Sequence, residues 1–198
     1  ECFRGAALHG AQPWVRIPGN DPDIITKYLD AGAEGIICPM ISTTHEAQSF
    51  VNACKYPFDG GFRSFGPVRA ALVHDNYVER SAQIVTKLAM IETRQGVENV
   101  AEIAATQGLD GLFIGPSDLA LSFGMPPGFE NRDPAFLELI DQIRNAAHKQ
   151  KILCGIYAGS AEYAREMIER GFDLVTGATD SAILLNGAQA SIKTLKGE

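Results

Sequence analysis

No apolar run in this chain approaches the roughly 18–20 residues needed to span a bilayer, and no signal-peptide pattern is visible. Basic clusters are absent as well. Lys and Arg total 17 against 24 Asp and Glu, a net charge of −7, and they are scattered. Nucleic acid and anionic membrane are therefore not expected as partners. The cysteines number only 4, with no CxxC pair and no cluster. Cys38 and Cys154 fall in apolar, strand-like runs and read as small buried hydrophobes of a reducing compartment, here the cytoplasm. No GxGxxG follows any strand-like run, which weakens a dinucleotide-binding reading.

Against these absences, 45% of the 198 residues are hydrophobic, enough for one domain with a sizeable core. Short runs rich in Val, Ile and Leu fall at 14–18, 35–40, 87–92, 111–115, 152–158 and 174–179. Helix-periodic segments separate them, at 22–31, 44–53, 76–85, 96–106, 134–149, 161–169 and 181–196. Capping cues agree: Asp21-Pro22 and Asp133-Pro134 open helices, and Gly32 and Gly171 close them. Continuous apolar strands alternating with helices mean a parallel sheet covered by helices. The regular spacing, broken by long loops at 56–75 and 122–133, favours a (β/α)8 TIM barrel. Six β/α units of the eight are expected in one partial domain over 1–198, truncated at its N-terminus. An open six-stranded sheet is the alternative. Either way, sheet edges are expected at 14–18 and 174–179.

In such barrels chemistry sits at the C-terminal ends of strands. Three charged residues fall there: Arg16 in WVRIP, Glu92 in KLAMIE and Asp118 just after GLFIG. Glu92 and Asp118 are about one β/α repeat apart, so adjacent strands project them toward one another. Two close carboxylates repel unless a proton or a cation lies between them. A hard divalent cation resolves the conflict, and this donor set suits Mg²⁺ or Mn²⁺. The helix after Gly115-Pro116 offers free amides from Ser117 onward to a small oxoacid's carboxylate. Arg16 is then placed to stabilise charge on a keto oxygen. Blander roles stay open for each: a helix cap for Asp118, a dipole partner for Glu92, a surface ion pair for Arg16.

With these residues on view, the chain resembles the HpcH/HpaI aldolase family, metal-dependent pyruvate aldolases. The likeness runs from about Pro13 to the C-terminus through VRIPGNDP, YLDAGAEGIICPM, KYP…GGFRSFG, MIETRQGVENV, GLFIGPSDLALSFG and GFDLVTGATDSAILL. It implies a TIM barrel, cleavage of 4-hydroxy-2-oxoacids to pyruvate and an aldehyde, and a homo-oligomer in which the C-terminal helix packs on a neighbour. Glu92 and Asp118 match the family's metal ligands for Mg²⁺ or Mn²⁺, with Co²⁺ a further option. Arg16 matches the enolate-stabilising arginine, the backbone of Ser117 and Asp118 the pyruvate-carboxylate cradle, and Asp30 an acid acting through the family's base histidine. Met90 stands where many relatives carry a substrate-contacting glutamine. The family's acid-His motif is not found in this sequence, and His74 is the only substitute considered. Without that base the chain is expected to be inactive by itself. Two rival readings follow: a malyl- or citramalyl-CoA lyase-like enzyme, and a non-catalytic homologue that binds metal and oxoacid.

Overall fold

Six parallel strands pair in strict chain order in the computed structural model, which describes residues 1–197. They are β1 (Trp14–Arg16), β2 (Gly35–Cys38), β3 (Thr86–Ile91), β4 (Gly111–Ile114), β5 (Leu153–Ile156) and β6 (Leu174–Val175). Trp14 lies opposite Gly35, Gly35 opposite Thr86, and Leu88 opposite Gly111. Doubly wound open sheets reverse their strand order at a switch point. This sheet never does; each strand simply joins the last, the progression of a β/α barrel. The expected TIM-barrel architecture with six β/α units is what the backbone adopts. β1 and β6 are the two edges.

Helices fill the intervals. After α1 (Cys2–Leu8) come α2 (Pro22–Asp30) and α3 (Thr44–Cys54) between β1 and β3. Asp21 caps α2 by accepting from the amides of Asp23 and Ile24. Thr43 and Glu46 form a reciprocal capping box at α3. The expected loop 56–75 holds a single 3-10 turn and a short helix, α4 (Ala70–Val73), ahead of α5 (Tyr77–Ile84). The helix expected at 96–106 is two pieces, α6 (Arg94–Glu98) and α7 (Val100–Ala104). The break is at Asn99, whose backbone leaves the helical region at φ −95°, ψ 6° while its side chain donates to the Ser42 carbonyl at 2.8 Å. Then follow α8 (Pro116–Ser122), α9 (Pro134–Lys149), α10 (Ala161–Glu169) and α11 (Asp180–Lys196).

Strand alternation sorts side chains to two faces. Ile36, Cys38, Ala89, Ile91, Leu112, Ile114, Cys154 and Ile156 point outward and join the main core with the helices, against Phe50, Ile103, Phe136, Ile140 and Tyr163. The intervening residues point inward: Leu88, Met90 and Phe113 form a smaller cluster with Trp14, Ile37, Tyr157 and Leu174. Gly155 makes room there, because a Cβ at that position would collide with the Phe113 ring. Cys38, Cys54 and Cys154 are buried free thiols, as two of them were expected to be. Burial pushes the Cys54 and Cys154 thiols up to about 12, so they stay protonated and inert. α11 buries none of its residues and exposes Ile183, Leu184, Leu185, Ile192 and Leu195. Among the described residues no helix is long and apolar enough to cross a membrane.

Candidate functional site

The inward parity of the strands sets the site. Arg16 follows Trp14 by two residues, Glu92 follows Met90 and Gly115 follows Phe113, so all three continue the inner face past its apolar cluster. They emerge at the C-terminal ends of β1, β3 and β4. A cleft of about 270 Å³ opens there. Arg16, Met90, Glu92, Ser117 and Asp118 all line it, together with Gly115, Pro116, Phe129 and Tyr157.

Glu92 is 2% exposed. Its Oε1 accepts the backbone amide of Met40 at 2.8 Å. Met40 can offer that amide because its backbone turns left-handed, at φ 58°. Oε2 faces Gly115, where a Cβ would strike it; any other residue at the end of β4 would displace the carboxylate. Burial pushes the Glu92 carboxyl above the ordinary range. The Met40 amide opposes that shift, the Asp118 charge adds to it, and Arg16 opposes it. Met90, at 7% exposure, forms the floor beside Glu92. Asp118 and Arg16 are exposed, and among the described residues neither is taken up in an ion pair.

The bland roles left open by the sequence are not those adopted. Asp118 caps no amide; α8 begins from Gly115 without a side-chain cap. α6 is capped by Thr93, whose hydroxyl accepts from Gly96, while Glu92 turns away to Met40. The amides of Ser117 and Asp118 therefore stand uncapped at the cleft. Among the described residues no group of three or more His, Cys, Asp and Glu could hold a metal. The acidic pair of Glu92 and Asp118 alone leaves most of a cation's coordination sphere to water or substrate oxygens. One buried carboxylate with a single satisfied oxygen, beside a second carboxylate, fits Mg²⁺ or Mn²⁺, which keep several such positions.

Asp30 is not in this cleft. It ends α2 at the other end of the sheet and accepts from Arg63 Nη2 at 2.7 Å. His74, considered as a substitute base, is also remote: its Nε2 lies 3.0 Å from Glu34 Oε1, ahead of β2. Sequence reasoning missed the Met40 amide, Phe129 and Tyr157. Tyr157 was legible, since it follows β5 with inward parity; Phe129 lies in the 122–133 loop, where no periodicity assigns a direction.

This fold and cleft define a β/α-barrel protein with an acidic pair and an arginine at its strand ends. The sequence matches the HpcH/HpaI aldolase/citrate lyase family over residues 4–187, and the chain belongs to that family. It is 44% identical over 186 residues to a hydroxypyruvate/pyruvate aldolase of Rhizorhabdus wittichii, covering 93% of this chain and 74% of that protein. It is 34% identical over 200 residues to a 5-keto-4-deoxy-D-glucarate aldolase of Escherichia coli, covering 96% and 75%. A solved family protein from Burkholderia cenocepacia superposes with a TM-score of 0.89 at 31% identity, covering 98% of this chain and 78% of that one. The relatives are aldolases and lyases, which supports a lyase.

Proposed function

We propose that this chain carries the metal and oxoacid site of an aldolase that cleaves 4-hydroxy-2-oxoacids to pyruvate and an aldehyde. The observation that carries the reading is Glu92: a buried carboxylate, held at one oxygen by Met40, with its other oxygen turned to the strand end that bears Asp118. Such a group is costly to leave charged and unpartnered, so it is built for a cation. Glu92 and Asp118 are the residues that would hold Mg²⁺ or Mn²⁺. When bound, the ion supplies Lewis acidity to the substrate's carboxylate and 2-oxo oxygens.

The chain's own groups do the rest. The uncapped Ser117 and Asp118 amides hold the substrate carboxylate. Met90 packs beside it and excludes water. A base, the role the family's acid-His motif would fill, takes the 4-hydroxyl proton; the C4–O bond becomes the aldehyde carbonyl as the C3–C4 bond breaks, and that bond's electron pair passes to C3 and the 2-oxo oxygen. Arg16 stabilises the negative charge that collects on that oxygen. Protonation at C3 then gives pyruvate. None of His9, His45, His74 and His148 lines the cleft, so none of them takes the 4-hydroxyl proton. Asp30 belongs to the reading only as an acid acting through a base outside this cleft. A homo-oligomer is part of the reading, supported by the exposed apolar side chains of α11.

Binding and turnover are tested separately. Calorimetry is expected to detect pyruvate binding with Mn²⁺, lost in EDTA and in Glu92→Ala. Pyruvate release from a 4-hydroxy-2-oxoacid, measured on a form of the protein that also carries the family's acid-His segment, is expected to follow the same metal dependence. Release that persists in EDTA or in Glu92→Ala overturns the reading.

A further inference from the structure

Two aromatic rings of the cleft, Phe129 and Tyr157, take no part in the chemistry above. Phe129 stands on the segment joining α8 to α9 and is 52% exposed. Its ring lies 4.9 Å from that of Tyr157, tilted by 58°, an edge-to-face arrangement. Met90 extends the same apolar lining inward. The segment is fastened from α10: Tyr163 Oη donates to the Asn131 carbonyl at 3.0 Å. Arg132 clasps Glu166 with two bonds of 3.0 and 2.8 Å and lies over the Tyr163 ring. Phe129 is thus held at the mouth by contacts remote from the charged groups.

All the ionic and amide groups of the cleft come from β1, β3 and the β4–α8 turn. Pyruvate's carboxylate and keto oxygen engage them fully. Among the described residues, what the opposite side of the cleft offers the rest of a substrate is two rings and a thioether, with the Tyr157 hydroxyl as its polar group. A hydroxylated chain placed there would lose water without finding partners.

We propose that Phe129, Tyr157 and Met90 form an apolar acceptor wall. It selects 4-hydroxy-2-oxoacids whose carbon-4 substituent is aromatic or aliphatic over those whose substituent is polyhydroxylated. This rests on the aldolase reading of the site, since it assumes that the oxoacid end occupies the Arg16 and Glu92 side.

The test is equilibrium binding in the presence of Mn²⁺ by calorimetry, with three probes: pyruvate, 2-oxo-4-phenylbutanoate and 5,6-dihydroxy-2-oxohexanoate. The two longer acids lack the 4-hydroxyl and so cannot be cleaved. The phenyl acid is expected to bind about tenfold or more tighter than pyruvate. The dihydroxy acid is expected to gain nothing over pyruvate. Phe129→Ala, at an exposed position that the fold tolerates, brings the phenyl-to-pyruvate affinity ratio to near one. Tyr157→Phe preserves the ratio. A dihydroxy acid that binds as tightly as the phenyl acid overturns the wall, as does a ratio that survives Phe129→Ala. Loss of the ratio in Tyr157→Phe also overturns it, because the gain would then depend on the hydroxyl and not on the apolar ring surface. Pyruvate that fails to bind with Mn²⁺ removes the aldolase reading and the wall together; pyruvate binding without the phenyl gain removes the wall alone.

Discussion

At the N-terminal ends of the strands, Glu34, Asp110 and Asp173 each immediately precede a strand, and each meets a basic side chain. His74 lies 3.0 Å from Glu34, Lys87 2.6 Å from Asp110 and His148 2.9 Å from Asp173. Asp30 joins Arg63 at the same end, at 2.7 Å. At the C-terminal ends the pattern inverts. Glu92 and Asp118 are two acids on neighbouring strand ends, Asp118 raising the cost of ionising the buried Glu92, and Arg16 stands near without bonding either. One end neutralises its charges internally and so holds the fold. The other leaves them unpaired, the arrangement that the proposed metal and oxoacid site calls for.

The sharpest way to break this contrast is to strand a charge at the neutralised end. Arg63 is 2% exposed, packed under Tyr56 at 4.6 Å and bonded to Tyr77 Oη at 3.0 Å. Asp30→Ala leaves that guanidinium buried without a counter-ion. The expected loss is about 3–5 kcal/mol by urea unfolding, the usual result of breaking a buried pair. Removing both partners, as Asp30→Ala with Arg63→Met, is expected to recover part of it. A single-variant loss below about 1 kcal/mol would place this pair among surface ion pairs and end the distinction.

The same kind of substitution at the open end is expected to act in reverse. Burial and Asp118 raise the Glu92 carboxyl above its unfolded value. Its contribution is therefore fully present below the ordinary carboxylate range and lost as pH rises through the raised value. Glu92→Gln keeps an acceptor for the Met40 amide and carries no charge. Without metal, the variant is expected to be up to about 1 kcal/mol more stable near neutral pH, with the two proteins converging in acid. Thermal unfolding in EDTA across pH checks this. Mn²⁺ affinity is expected to fall by more than about 100-fold, beyond what outer-shell partners cost.

How much of this was legible in the sequence follows from period and parity. The six apolar runs, the capping pairs Asp21-Pro22 and Asp133-Pro134 and the strand-end charges all state their positions locally, and the structure keeps them. The break at Asn99 was hidden because its cause is the Ser42 carbonyl, 57 residues away. The Met40 amide was hidden for the same reason: a left-handed methionine carries no local signal, and its partner Glu92 lies on another strand. Asp30 is a third case: its motif matches a family position, and the partner its carboxylate takes, Arg63, lies 33 residues further on, where no local pattern shows it.

A smaller effect separates ordering from charge at the neutralised end. Burial by itself would raise the Asp173 carboxyl, but the Cys154 amide and His148 outweigh it and hold the carboxyl below its ordinary range. A depressed carboxylate stabilises above its unfolded pKa and loses that contribution as pH falls through the folded value. Asp173→Ala is expected to cost about 1 kcal/mol near neutral pH, discounted for its partial exposure. The difference from the parent should close as pH falls below about 3.9. A cost that persists in acid would assign the effect to lost packing.

The smallest predicted effect puts one substitution at both ends. Met40 and Lys151 each hold a left-handed backbone, at φ 58° and 59°. For an L-residue with a Cβ that conformation costs about 1–2 kcal/mol. Glycine removes the cost but adds unfolded-state entropy of about 0.4–1 kcal/mol, so the net gain is a few tenths to about 1 kcal/mol. Lys151 closes α9, where its amide donates to the His148 carbonyl at 3.0 Å, and it touches nothing in the cleft. Lys151→Gly is therefore expected to raise the melting temperature slightly and leave Mn²⁺ affinity unchanged. Met40→Gly gains the same backbone relief, yet it loosens the turn whose amide fixes Glu92 Oε1 at 2.8 Å. Its Mn²⁺ affinity is expected to fall severalfold while its stability does not. Equal metal affinities in the two variants would mean that the Met40 turn follows Glu92 rather than positioning it, and the open end would then be organised by the ligand and not by the chain.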